Sequence, residues 1–162
     1  SSRDEDGKLV WDSGAEIERF LASAECKLGT ARDIPCATWF NANHEEGDTL
    51  DNRSDNKGPE PEGVALGRIG DKTFAFVGLE RMGGVLVYDI TDPQAPTRVD
   101  YLNPREDWTT KDPATVLANV GDLGPEGLHF IPAKDSPNAK PLLLVGNEVS
   151  GTTAVYQLNL SY

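Results

Sequence analysis

The chain has 162 residues and a formal net charge of -12 at pH 7, from 27 acidic and 15 basic side chains. This excess of carboxylates argues against nucleic acid as a partner, because a phosphate backbone favours lysine and arginine. No apolar run approaches the roughly twenty residues that a membrane-spanning helix requires, so we expect no membrane span.

The first third of the chain predicts one short helix. Leu9-Val10-Trp11 is a short apolar run without a partner strand before it. The sequence Ser13-Gly14-Ala15-Glu16 matches a capping box, in which the serine hydroxyl and the glutamate carboxylate bond backbone N–H groups of the first turn. Apolar residues at helical spacing follow it, so the pattern predicts an amphipathic helix over 14–25.

The two cysteines, Cys26 and Cys36, have nine residues between them. A local disulfide is the favoured interpretation and would place the chain in an oxidising compartment. Two buried free thiols are the alternative. Neither cysteine belongs to a spacing typical of a zinc site.

A long polar segment over 41–58 is rich in oxygen-bearing side chains, among them Asp51 and Asp55. Calcium takes six to eight oxygen ligands from carboxylates, amides and carbonyls and tolerates irregular geometry. The segment therefore predicts a calcium site, although it is not an EF-hand because Arg53 and Lys57 break the alternation of ligands. Plain solvated turns are the other interpretation of such a run.

Strand patterns begin after this segment. Four β-branched or aromatic runs, separated by Gly, Asp and Pro turns, lie at 64–69, 73–79, 84–90 and 97–102. Four short strands joined by tight turns are typical of one blade of a β-propeller.

The pattern then recurs at 128–131, 142–146 and 152–158, and 77–90 aligns with 145–158 without a gap. The sequence predicts an all-β fold, part of a β-propeller with about two to three blades of four-stranded antiparallel sheet and one short N-terminal helix. The predicted segments are the end of a preceding blade with the helix and acidic loop, one blade with its connection, and a second incomplete blade (1–58, 59–123 and 124–162). A β-sandwich of two similar sheets is the alternative.

The repeat also preserves two acids in each copy, Glu62 and Glu80 in the first and Glu126 and Glu148 in the second. Carboxylates that converge in one place repel each other and need a cation or protons to coexist. We therefore predict that these four residues, with Asp51 and Asp55, hold calcium. The alternative is that the glutamates are spacers bonded to backbone N–H groups.

Several long strings resemble one family. They are Asp51-Asn52-Arg53-Ser54-Asp55-Asn56-Lys57-Gly58-Pro59-Glu60-Pro61-Glu62-Gly63-Val64, Ala75-Phe76-Val77-Gly78-Leu79-Glu80-Arg81, Val87-Tyr88-Asp89-Ile90-Thr91-Asp92-Pro93, Gly124-Pro125-Glu126-Gly127 and Gly146-Asn147-Glu148-Val149-Ser150-Gly151-Thr152-Thr153. Together they resemble the last blades of the choice-of-anchor I family of secreted β-propellers, a group similar to mesenchyme-specific cell-surface glycoproteins and some atypical alkaline phosphatases. The resemblance implies an extracellular, periplasmic or cell-surface location and bound calcium.

Two functions follow as hypotheses. The first is a secreted calcium-binding propeller module that acts as a cell-surface or binding scaffold, completed by the remaining propeller blades or by another chain. The second is part of a metal-dependent phosphoester hydrolase, in which the acids hold ions that activate water and clamp a phosphoester ligand. Whether the chain is an enzyme is left open by the sequence.

Overall fold

The structure, a computed structural model, describes residues 1–160, and most of its regular secondary structure is antiparallel strand. The last two residues of the predicted segment 124–162, Ser161 and Tyr162, lie outside the described residues. The strands are β1 Ser2–Arg3, β2 Leu9–Trp11, β3 Lys27–Leu28, β4 Ile34–Pro35, β5 Pro61–Ile69, β6 Lys72–Leu79, β7 Val85–Asp89, β8 Thr97–Leu102, β9 Pro125–Ile131, β10 Leu142–Asn147 and β11 Thr152–Gln157. The predicted all-β fold class is confirmed.

The first large sheet is a four-stranded meander in the order β5-β6-β7-β8. Its register pairs Val64 with Val77 and Phe76 with Val87. Successive side chains along each strand point to opposite faces of the sheet. The prediction that the strand patterns over 64–102 form one four-stranded antiparallel sheet is confirmed.

The second large sheet has the order β11-β10-β9 and repeats the first three strands of the meander. Strand β11 lies at its edge, and within residues 1–160 that edge has no further strand. The short run Leu9–Trp11 pairs with β1 in a separate two-stranded sheet, so the expectation that no partner strand precedes it is wrong.

The two large sheets pack face to face through their apolar residues. The ring of Phe76 in β6 stacks on that of Phe130 in β9, with centroids 5.9 Å apart. Gly67 makes this approach possible, because a Cβ atom there would lie 2.5 Å from the Phe130 ring. A cleft of about 640 Å³ opens between these sheets toward β8 and β11 and is not lined by the acids of the repeat.

The opposite face of the first sheet is covered by the N-terminal third of the chain. Helix α1, Glu16–Leu21, buries Ile17, Phe20 and Leu21 against this face. A disulfide joins Cys26 to Cys36 beside it, which confirms the favoured interpretation of the cysteines. Closing a loop of this size contributes about 2–3 kcal/mol in the chain-entropy account.

Helix α1 is shorter than the predicted 14–25, and the capping box is wrong. Ala15 occupies the N-cap position without a side-chain hydrogen bond. The Glu16 carboxylate instead accepts hydrogen bonds from the Tyr88 hydroxyl at 2.5 Å and from Arg98 Nε at 2.9 Å. These partners lie on the first sheet, so long-range contacts replace the local cap.

The other helical segments are short turns of three or four residues in the connections between strands. The structure adds a second short helix, α2 Leu117–Val120, that the sequence did not predict. Turns of 3₁₀ helix lie at Cys36–Trp39, Pro113–Val116 and Ala133–Asp135. None of the helices in residues 1–160 is long and apolar enough to cross a membrane.

The long polar segment before β5 is held in place by its own backbone. Arg53 N donates to Asn41 O at 3.1 Å, and Gly58 N donates to Arg53 O at 2.9 Å. The Asn41 amide donates to Ser54 Oγ at 2.8 Å. Because both ends of the segment are tied to one another, residues 41–58 form a compact loop that packs beside the ends of the sheets.

Candidate metal centre

The two large sheets present an acid at equivalent positions. Glu80 directly follows β6, and Glu148 directly follows β10. Glu80 N donates to Glu60 O and Glu148 N donates to Gly124 O, each at 2.8 Å. Both acceptor residues have positive φ, 54° at Glu60 and 71° at Gly124. The repeat therefore builds the same turn twice and fixes both acids by the same backbone hydrogen bond.

A histidine from the polar loop completes the cluster. His44 Nε2 lies 3.5 Å from Glu80 Oε1 and 3.9 Å from Glu148 Oε1. The ligand atoms of the three residues all lie within 4.8 Å of one another, a grouping that could hold a metal ion. His44 is only 1% exposed, and its Nε2 has no hydrogen-bond partner among the described residues. A buried polar nitrogen without a partner is costly unless something else satisfies it.

The other ring nitrogen of His44 is held by its neighbours. Nδ1 lies 3.1 Å from Asn43 Oδ1 and 3.2 Å from Arg81 Nη1. On the opposite side, a Cβ atom at Gly124 would lie 3.0 Å from His44 Cδ2 and 3.2 Å from Glu148 Cγ. The imidazole is thus confined between the loop and the turn that precedes β9, and its Nε2 faces the two carboxylates.

The imidazole is neutral at neutral pH. Burial and, after it, the positive charge of Arg81 lower the pKa of His44 to about 4. The short distances from His44 to the two carboxylates are therefore not ion pairs. A neutral imidazole offers a lone pair, which is the form that binds metal ions.

Glu62 joins the cluster through Glu80. Burial, the hydrogen bond with Glu62 and the negative charge of Glu62 together raise the pKa of Glu80 to about 7, whereas Arg81 opposes the shift. Carboxylates this close repel each other when both are ionised, so the raised pKa of Glu80 indicates that negative charge is concentrated here. A cation would relieve the same repulsion.

Arg81 is already engaged by acids. Its guanidinium lies 3.1 Å from the Glu45 carboxylate, 3.5 Å from that of Glu60 and 3.3 Å from that of Glu80. Burial opposes ionisation of Glu60, but hydrogen bonds from Arg53 and Lys57 hold its pKa below the usual value. Arg81 therefore balances part of the negative charge, and it does so at Oε1 of Glu80, the same oxygen that lies 3.5 Å from His44 Nε2.

Three of the predicted residues meet at this site, and three do not. Glu80 and Glu148 lie at the cluster and Glu62 lies against Glu80. Glu126, Asp51 and Asp55 are exposed and lie outside the group. The Asp51 carboxylate instead accepts a short hydrogen bond from Ser54 Oγ. A role for these three in calcium binding stays a prediction.

Sequence reasoning missed His44. The signal was present, because His44 is one of two histidines in the chain and stands between Asn43 and Glu45 in the long loop. Its meeting with acids 36 and 104 residues further on depends on how the loop folds back over the sheets, which spacing does not reveal.

Comparisons with known proteins agree with the sequence resemblance. The profile of the choice-of-anchor I domain matches residues 1–93, more than half of the chain. Gigasin-3a of Magallana gigas is 26% identical over 151 residues, which is 92% of this chain and 51% of that protein. The chain thus spans about half the length of this curated relative. No solved structure matches the chain.

Proposed function

Because the chain belongs to the choice-of-anchor I domain family, we propose that it is a secreted or surface-associated β-propeller module that binds a divalent cation and acts as a scaffold. The observation that carries the proposal is the buried Nε2 of His44, which faces the carboxylates of Glu80 and Glu148 without a hydrogen-bond partner. The disulfide between Cys26 and Cys36 supports an oxidising location.

A cation at this place would stabilise the module. His44 comes from the polar loop, Glu80 from the end of β6 and Glu148 from the end of β10. An ion bound by all three would link three segments that are distant in sequence, and it would bind the folded state alone. The sequence predicted calcium, and the test therefore includes it.

Thermal unfolding tests the proposal. The protein is dialysed against EDTA and then heated with Ca²⁺, Mg²⁺, Mn²⁺ or Zn²⁺ in separate samples. A cation at about 100 times its Kd stabilises by roughly 2.7 kcal/mol, which for a chain of this size raises Tm by about 5–10 °C. We expect at least one cation to do so in the wild type and none in Glu148→Gln.

Glu126→Gln is the matched control, because it removes another exposed acid of the repeat, one that lies outside the cluster. Its Tm shift should equal that of the wild type. If no cation raises Tm, or if Glu148→Gln responds as the wild type does, the proposed cation site is wrong.

The scaffold proposal includes further blades of a longer protein. Val64 and Leu66 in β5 are 59% and 62% exposed. They lie on the same face of the sheet as Ala75 and Val77, which pack against the N-terminal third of the chain. Val155 in β11 is 58% exposed on the second sheet. Apolar faces of this kind are covered where blades stack, and the relative is about twice as long as this chain.

Hydrogen exchange measures whether further blades cover strands β5 and β11. In a longer protein that adds blades, amides of β5 and β11 should exchange more slowly than in residues 1–162 alone. Slowing that depends on protein concentration would show instead that a second chain covers these strands. Unchanged exchange would contradict the proposal.

The phosphoester hydrolase is the less favoured function. A phosphate clamp needs an available cation, and Arg81, the guanidinium beside the acids, already contacts the carboxylates of Glu45, Glu60 and Glu80. We therefore propose the scaffold.

A further inference from the structure

The chemical nature of the three ligand atoms discriminates among cations. Two are carboxylate oxygens, and the third is the imidazole Nε2 of His44. Calcium and magnesium prefer ligand sets made of oxygen, with carbonyls, carboxylates and water. Imidazole nitrogen suits zinc and related first-row transition metals. A calcium site would have no need of a buried histidine at its centre.

We propose that the cluster is a zinc-type site, in which His44 Nε2 and the carboxylates of Glu80 and Glu148 bind a borderline transition-metal ion in preference to calcium. The inference rests on the proposed function, since it names the cation that the scaffold takes. It also changes the sequence prediction for this place, where all the expected ligands were oxygens.

The distances fit an ion between the residues better than a direct hydrogen bond. His44 Nε2 is 3.5 Å from Glu80 Oε1 and 3.9 Å from Glu148 Oε1. A good hydrogen bond from nitrogen to oxygen is about 2.7–3.2 Å long. Two ligands that are each about 2.0–2.2 Å from a tetrahedral metal lie roughly 3.3–3.6 Å apart. Small shifts of the Glu148 side chain, which is half exposed, would close the difference.

The surroundings of His44 suit a metal ligand. Donation from Nδ1–H to Asn43 Oδ1, 3.1 Å away, would leave the lone pair on Nε2 directed at the acids. Metal-binding histidines are usually oriented in this way by a second hydrogen bond. The opposite tautomer would let Nδ1 accept from Arg81 Nη1 at 3.2 Å, but the guanidinium also has Glu45 and Glu80 as partners.

The site reaches solvent at Glu148. The His44 side chain is 1% exposed and that of Glu80 is 11% exposed, whereas that of Glu148 is 48% exposed. An ion can therefore enter past Glu148. Three protein ligands with access to solvent leave a fourth tetrahedral position for water or for an external ligand.

Calorimetric titration of the EDTA-treated full chain with Zn²⁺ and with Ca²⁺ at pH 7 tests the inference. We expect one Zn²⁺ per chain, bound at least 100-fold more tightly than Ca²⁺. His44→Gln should weaken Zn²⁺ binding at least 100-fold. His129→Gln is the matched control, since His129 is exposed on β9 and lies outside the cluster, and it should bind Zn²⁺ as the wild type does.

Cobalt binding supplies a measurement that needs no variant, in case His44→Gln does not fold. Co²⁺ bound to nitrogen and oxygen ligands absorbs visible light, and Zn²⁺ should displace it from the wild type one for one. Failure of zinc to displace the cobalt signal would overturn the inference.

The two proposals fail in different ways. If Ca²⁺ binds as tightly as Zn²⁺ and depends on Glu148 but not on His44, the zinc-type site is wrong and the cation-binding scaffold stands. If neither ion binds to the wild type, the zinc-type site is wrong, and the cation-binding scaffold is wrong as well if Mg²⁺ and Mn²⁺ also fail to raise Tm. If His129→Gln weakens Zn²⁺ as much as His44→Gln does, the ion binds elsewhere and the inference is overturned.

Discussion

At the scale of single residues, a buried arginine holds the loop that carries His44. Arg105 is 1% exposed and donates to Asn43 O at 2.7 Å and to Glu46 O at 3.2 Å. Its guanidinium also lies 4.3 Å from the centre of the Trp108 ring. Burial lowers the pKa of Arg105 to about 10, so it stays charged at neutral pH. The two carbonyls that it binds flank His44 and fix the backbone of the site.

Arg105→Lys should therefore destabilise the protein and the site together. Lysine keeps the charge but cannot reach both carbonyls with a planar fork, and unmade bonds to a buried charge cost about 2–3 kcal/mol. Urea unfolding at pH 7 measures the loss, and cation titration measures the accompanying decrease in affinity. The control is Arg68→Lys on the exposed edge of β5, which should change stability by less than about 0.5 kcal/mol.

The depressed pKa of His44 predicts a dependence of stability on pH. In the unfolded chain an imidazole takes up a proton near pH 6.5, whereas burial delays protonation of His44 to about pH 4. Between these values the unfolded state binds more protons, so stability is fully present above pH 6.5 and is lost as the pH falls toward 4. From pH 7 to pH 5, metal-free wild type should lose about 2 kcal/mol more than His44→Gln.

Urea unfolding in EDTA at the two pH values gives both free energies. His129→Gln should follow the wild type, because it leaves His44 in place. Parallel losses in the wild type and His44→Gln would show that His44 is protonated in the folded protein at pH 5, and the account of its burial would be wrong.

At the scale of elements, strands were predictable and the helix boundary was not. The runs at 64–69 and 97–102 alternate and end in Gly, Asp or Pro turns, so local sequence determines them. The predicted capping box does not form, because the Glu16 carboxylate accepts hydrogen bonds from Tyr88 and Arg98 on the first sheet, 72 and 82 residues away. Contacts over such separations outweigh a local cap worth about 1 kcal/mol.

The packing of the two large sheets depends on a glycine. In Gly67→Ala the new Cβ would lie 2.5 Å from Phe130 Cδ2, so the stacked ring must move and the sheets must separate. Overpacking of this kind costs about 1–3 kcal/mol. Thermal unfolding should show a lower Tm for this variant.

Gly127→Ala is the matched control for this substitution. A Cβ at Gly127 in β9 would meet nothing within 4 Å. It should leave Tm within about 2 °C of the wild type. If both variants lower Tm equally, the loss comes from glycine removal in general and not from the contact with Phe130.

At the scale of the whole molecule, the repeat accounts for most of the architecture and part of the site. Internal similarity predicted two sheets and the paired acids Glu80 and Glu148. It could not predict their third partner, because the loop with His44 has no counterpart in the repeat and reaches the acids only in the folded chain. The cluster therefore combines one acid from each copy of the repeat with a single histidine from the loop.

A crystal structure of the zinc-treated protein, with diffraction data recorded on both sides of the zinc absorption edge, would locate the bound ion. We predict one anomalous peak about 2.0–2.2 Å from His44 Nε2 and from carboxylate oxygens of Glu80 and Glu148. A peak confined to the exposed acids of the Asp51 loop, or no peak in protein soaked at saturating zinc, would contradict the assignment of a metal centre to these three residues.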